Sequence, residues 1–173
     1  MALDRRDAVS GLVLLSGYHF GSARPDVVPA SLPAVPLFGD LLAHTVALLT
    51  GILTEPTAVK ASFAPAPVSE KLTALPKAMA LRPAQIRATS ADTAMMVPSA
   101  VGLSRRYDEL ALPVIIIAGA GDLIAHVDKH AQRLVEEVPG AELRIVPNQG
   151  HLFHYAVPEQ VITAIDDAER RAA

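Results

Sequence analysis

Asp122 and His151 are the residues of this 173-residue chain whose types and spacing suit proton-transfer chemistry. Asp122 follows the apolar run Val114-Ile-Ile-Ile-Ala118 through Gly119, Ala120 and Gly121. His151 follows Leu143-Arg-Ile-Val146 through Pro147, Asn148, Gln149 and Gly150. Parallel strands lie about 4.8 Å apart, so a carboxylate and an imidazole at the same ends of neighbouring strands can meet. The carboxylate then holds one ring nitrogen protonated and leaves the other as a general base. Taken singly, each residue has a plainer reading. An Asp opening a strand-to-helix loop often only caps orphan amides, and a lone His is more often a hydrogen-bonded core residue. Small residues before Asp122 allow a tight turn, and Gly150 permits backbone that a Cβ would resist. The pair together favours a catalytic arrangement.

Other side chains carry weaker signals. His126 and His130 stand at i,i+4, but no Glu lies between them in H-E-x-x-H order and no third ligand is evident, so a solvated helix face is favoured over a metal site. His154 reads as a neighbour packing in the His151 loop. Arg82, Gln85 and Arg87 read as surface residues, and Tyr18-His19 as a pocket-wall element. No metal or cofactor is expected.

The elements that must position Asp122 and His151 follow from hydrophobic pattern. Residues 12–16, 114–118 and 143–146 are continuous apolar runs, the signature of parallel strands buried on both faces. Apolar residues from Val127 to Val138 have helical spacing and stop at Pro139-Gly140. Strand, helix and strand then make a right-handed βαβ unit. Pro158 opens a last helix carrying Val161, Ile162 and Ile165. The class is therefore α/β. Residues 20–110 hold no strand-like run, and that length exceeds a plain crossover. They read as a helical insertion over the C-terminal edge of the sheet, with a helix at 37–53 and shorter pieces near 69–79, 83–95 and 100–110. Its apolar stripe (Leu41, Leu42, Val46, Leu49) reads as core.

Hydrophobic residues make up 51% of the chain and charged ones 19%, which excludes a disordered chain. A net charge of −3 without a basic cluster gives no footprint for nucleic acid. There is no Cys, hence no disulfide, thiolate metal site or thiol nucleophile. The apolar stretch 41–53 is too short to cross a bilayer, and Asp4 and Asp7 interrupt the basic region that a secretory signal needs. A soluble, cytoplasmic protein is expected.

Several segments resemble the C-terminal part of α/β-hydrolase-fold proteins: Val9-Ser-Gly-Leu-Val-Leu-Leu-Ser-Gly17, the Pro113–Asp122 segment, and Leu143–His151 running through Leu-Phe-His-Tyr155 to Pro158-Glu159. The likeness covers both ends of the chain and is weaker in the middle, which corresponds to the variable helical cap of such proteins. It implies three parallel strands equivalent to the family's sixth, seventh and eighth, with 1–19 and 111–173 as partial core and 20–110 as cap. It also implies Asp122 and His151 as two members of a catalytic triad acting on ester-type or related substrates.

The third member is missing. The family's nucleophile lies in G-x-S-x-G before the strand at 12–16, yet no such motif occurs in the sequence. Ser16 stands after the wrong strand, Ser90 and Ser99 lie in cap-like sequence, and the His-Gly oxyanion loop is absent. Ala2–Ala8 resembles the tail of the helix after the nucleophile, so the match begins about one helix late. The expectation is a hydrolase-type chain inactive alone. Its apolar strand 12–16 would be an exposed edge inviting a second copy or a complementing N-terminal chain. The alternatives are a non-catalytic module binding small molecules or partners, and a truncated gene remnant.

Overall fold

The three apolar runs form one parallel sheet, seen here in a computed structural model that describes residues 2–173. Its strands are β1 (Leu12–Leu15), β2 (Val114–Gly119) and β3 (Glu142–Val146), in the order β1-β2-β3 and each within one residue of the expected bounds. Leu12 pairs with Val114 and Leu15 with Ile117. On the other side Ile115 pairs with Glu142 and Gly119 with Val146.

The central strand is apolar on both faces because both are covered. Val114, Ile116 and Ala118 pack with Tyr107, Leu134 and Val138. Ile115 and Ile117 face the opposite way, onto Val146, Phe153, Ala164 and Ala168. This is the period-two alternation of a strand. Each fully buried Ile contributes about 1.5–3 kcal/mol, so β2 anchors the sheet.

β1 differs. The amides of Leu12 and Ser16 donate to Pro113 and Ile117 of the β2 segment, both at 2.9 Å. Backbone groups alternate sides along a parallel strand, so the amides of Val13 and Leu15 face outward. No strand pairs with that edge among the described residues.

Six helices lie between β1 and β2: α1 (Val27–Ser31), α2 (Phe38–His44), α3 (Val46–Phe63), α4 (Glu70–Thr73), α5 (Lys77–Ala80) and α6 (Pro83–Ser104). The helix expected at 37–53 is instead α2 and α3, broken at Thr45 (φ −124°, ψ −100°). The pieces expected at 83–95 and 100–110 are one helix with a short 3-10 turn after it, because α6 continues through Pro98. Packing against α1, α2 and the 3-10 turn Leu32–Ala34 offsets the roughly 3 kcal/mol that an interior Pro costs. The stripe expected to be core is not: Leu41, Val46 and Leu49 are each more than half exposed, while α2 packs through Gly39 and Ala43 instead.

After β2 the chain enters a π-helical turn, Asp128–Gln132, before α7 (Arg133–Glu137), where a single α-helix was expected. The Gln132 amide reaches back five residues to the Val127 carbonyl at 2.9 Å. Gly140 ends this segment at φ +75°, a conformation that favours glycine. Helix α8 (Pro158–Ala172) starts at the expected proline and lays Ala164 and Ala168 on the sheet. At the N-terminus, Arg6–Ala8 is a 3-10 turn rather than the end of a longer helix. No single helix among the described residues is long and apolar enough to cross a membrane.

Candidate active site

Strand β2 delivers Asp122 to the C-terminal edge of the sheet, and β3 delivers His151 to the same edge. The two loops are tied together by backbone: the Ala120 amide donates to the Val146 carbonyl and the Gly121 amide to the Gln149 carbonyl, both at 2.9 Å. Asn148 takes φ +57° in this turn, a conformation Asn tolerates better than most residues. A Cβ on Gly119 would run into the carbonyls of Gly150 and Gln149, so the strand end needs glycine for space.

The loops bring the two side chains together. His151 Nδ1 donates to Asp122 Oδ2 at 2.9 Å. The other carboxylate oxygen, Oδ1, accepts the amides of Ile124 and Ala125 at 2.8 and 2.9 Å. One carboxylate oxygen therefore caps the loop and the other holds the imidazole. Burial pushes the Asp122 carboxyl up, but the His151 hydrogen bond and the Ala125 and Ile124 amides outweigh it and hold it below the usual carboxylate range. An ionised acceptor fixes the proton on Nδ1 and leaves Nε2 with its lone pair. The Asp122 side chain has no exposed surface, whereas 28% of the His151 side chain is exposed. The carboxylate is sealed and the imidazole is reachable.

A segment the sequence did not single out braces this pair. Ser62–Pro65, at the end of α3, lies directly on both loops. The Leu152 amide donates to the Ser62 carbonyl at 3.0 Å. A Cβ on Gly150 would meet the carbonyls of Phe63 and Ala64, and one on Gly121 would meet Pro65. Phe63 is 2% exposed and its ring lies 5.8 Å from Tyr155. The expected conformational reason for Gly150 is therefore replaced by a spatial one: its φ lies outside the left-handed region, and close backbone passage is what excludes a side chain. The only sequence signal for this brace was the glycines themselves.

The remaining candidates separate. His154 packs in its loop as expected, its ring 4.8 Å from Tyr155, and burial with the charge of His151 lowers its pKa. Arg87 pairs with Asp40, and Gln85 bonds Thr89 on the surface. His126 is exposed, but His130 is only 2% exposed, which corrects the solvated face expected for both. The π-helical turn carries His130 to the loop after β1, where its Nδ1 accepts the amides of His19 and Phe20 at 3.2 and 3.3 Å. No group of three metal-ligating side chains occurs among the described residues. Two buried polar atoms, Ser16 Oγ and His19 Nε2, have no hydrogen-bond partner among the described residues. Burial, followed by the charge of His130, pushes His19 down to about 4. No hydroxyl group bonds His151 Nε2 among the described residues.

Comparison with known proteins accords with this geometry at the level of fold. No family model and no curated protein matches the sequence. Solved structures do. A thermophilic esterase from Thermogutta terrifontis aligns with 99% of this chain and 59% of its own, at 17% identity and a TM-score of 0.59. An enol-lactonase from Burkholderia xenovorans aligns with 98% of this chain and 59% of its own, at 16% identity and 0.64. A carboxylesterase from Bacillus subtilis aligns with 96% of this chain and 53% of its own, at 20% identity and 0.61. The chain thus has part of an α/β-hydrolase fold and spans between half and three-fifths of the length of these structures.

Proposed function

We propose that this chain supplies the acid–base half of an ester-type hydrolase, with His151 as general base and Asp122 as its orienting carboxylate. The observation that carries the reading is the 2.9 Å bond between a sealed carboxylate and a reachable imidazole at the sheet's C-terminal edge. Open α/β sheets place their ligands at that edge. In the reaction, Nε2 takes the hydroxyl proton of a nucleophile as its oxygen adds to the substrate carbonyl. It then returns that proton to the leaving alkoxide, and water repeats the cycle on the acyl intermediate. The helices between β1 and β2 serve as the cap over the substrate.

The nucleophile and the oxyanion donors come from polypeptide outside these 173 residues, because the sequence holds no G-x-S-x-G. The unpaired edge of β1, with the Val13 and Leu15 amides turned outward, is where a nucleophile-bearing strand docks. Removing the nucleophile from such a site leaves at best about 10³–10⁴ of rate enhancement, which derives from the oxyanion hole and binding. The chain alone is therefore inactive.

The test is complementation on p-nitrophenyl butyrate, using the chain co-produced with the polypeptide encoded immediately upstream. Turnover that needs both polypeptides and falls by about 10⁴ or more in His151→Ala is expected. Turnover by the chain alone that survives His151→Ala would overturn the assignment.

One observation favours a second reading, a non-catalytic binding module. A cavity of ≈350 Å³ lies between α3 and the α4–α5 segment, walled by Pro56, Val59, Val68, Leu72 and Leu75. Saturable binding of a short apolar ligand that is unaffected by His151→Ala, with no turnover in the complementation assay, would establish it instead.

A further inference from the structure

A second cavity, of ≈410 Å³, opens at the same sheet edge on the side of β1, between the loop after β1 and the loop after β2. Its walls carry Tyr18, Arg24, Ile124, His126, Lys129 and His130, and no carboxylate lines it among the described residues. The volume falls within the range of small-molecule sites. From this convergence of donors we infer that the cavity binds a small organic oxyanion, a carboxylate or a phosphate.

Each donor is left available by a specific arrangement. His130 Nδ1 is occupied as an acceptor by the His19 and Phe20 amides. Its ring proton must then sit on Nε2, the one donor His130 has left for the cavity it lines. Arg24 uses Nε and Nη2 on Asp26, at 2.9 and 2.7 Å, and retains Nη1. Lys129 is exposed and forms no ion pair among the described residues. Tyr18 holds the wall in place: its ring lies 4.5 Å from that of His130, and its hydroxyl accepts the Ser22 amide at 2.9 Å. Burial, then the like charges of His126, Arg24 and Lys129 against an opposing pull from Asp122, lowers the His130 pKa. Three cationic or protonatable groups therefore act on one point. Asp26 occupies Arg24 and Asp122 acts on His130, which leaves Lys129 as the lining cation without an ion pair among the described residues, the charge an anion would neutralise. Apolar Leu123 and Ile124 beside the donors suit the carbon skeleton of an organic ligand rather than a bare ion.

This inference does not rest on the hydrolase reading, since Asp122 and His151 are not among the donors. The test is an NMR titration of the intact chain with sodium phosphate and, separately, with sodium acetate, following the His126 and His130 imidazoles. Sodium chloride at matched ionic strength is the reference. Saturation at about 1 mM is expected, weakened about fivefold or more in Lys129→Ala and further in Lys129→Ala combined with Arg24→Gln. Lys129 is exposed and Arg24 half-buried, and a thermal melt checks that the variants fold. The anion that saturates at lower concentration identifies the ligand class. Equal shifts with chloride, or a Lys129→Ala variant that titrates like the parent, would overturn the inference.

Discussion

Replacing Gly150 by Ala should damage both the stability of this protein and the geometry of its candidate site. A Cβ at position 150 would lie 2.8 Å from both the carbonyl carbon and the carbonyl oxygen of Phe63, and nearer still to the Ala64 carbonyl oxygen. Ordinary contact requires about 3.5 Å, so backbone on one side must retreat by roughly 0.7 Å or more. Neither side is loose: Phe63 is buried, and the Leu152 amide bonds the Ser62 carbonyl. Overpacking of this kind costs about 1–3 kcal/mol, and loss of the Leu152 bond adds about 1 kcal/mol. The expected total is about 2–4 kcal/mol, which lowers Tm by roughly 4–16 °C in a chain of this size. Because the displaced backbone carries His151, the Nδ1–H proton resonance of that residue should also weaken. Gly102 provides the control, since a Cβ there meets nothing within 4 Å. Gly102→Ala should instead stabilise α6 by about 0.5–1 kcal/mol. Differential scanning calorimetry on both variants decides. If Gly150→Ala melts within about 2 °C of the parent with an unchanged His151 spectrum, the Ser62–Pro65 segment does not brace the site.

Further outcomes follow from the same geometry. His19 stays neutral in the fold down to about pH 4 against an ordinary value of 6.5. Its contribution is therefore complete above pH 6.5 and is lost as the pH falls toward 4, amounting to about 3 kcal/mol. Urea melts across that window should show the loss, and His19→Asn should flatten it. Asp122→Ala strips the acceptor from His151 and from two amides and should cost about 2–4 kcal/mol. Asp122→Asn should cost less in thermal stability while still disturbing the imidazole. By hydrogen exchange, the outward amides of Val13 and Leu15 should exchange faster than those of Leu12 and Ser16, and become protected only when another strand pairs with β1.

The sheet was readable in the amino-acid sequence because a strand buried on both faces has no polar positions to disguise it, as Val114–Ala118 shows. The Asp122–His151 pair was readable for a related reason: Asp122 sits a short glycine-containing loop beyond that strand, and His151 sits one beyond β3, a half-buried strand whose Leu143, Ile145 and Val146 still mark it. The helical middle was harder. Thr45 breaks a continuous apolar pattern, and Pro98 sits inside a helix, because tertiary packing overrides local preference at both places. The burial of His130 was not legible, because periodicity cannot reveal a π-helical turn, which brings one residue of the expected exposed face against the loop after β1. The Ser62–Pro65 brace joins segments far apart in sequence, Pro65 against Gly121 and Ser62 against Leu152, and no local pattern encodes it. Glycine at 121 and 150 was its only trace.

The imidazole tautomer of His151 is the most direct test of the acid–base assignment. Nitrogen-15 NMR of the intact chain at about pH 8, where an ordinary imidazole is neutral, should show a protonated Nδ1 with a downfield proton, and an unprotonated Nε2. Asp122→Ala should abolish that proton signal. A His151 ring protonated on Nε2, or a spectrum indifferent to Asp122→Ala, would contradict the assignment of this pair as an oriented general base.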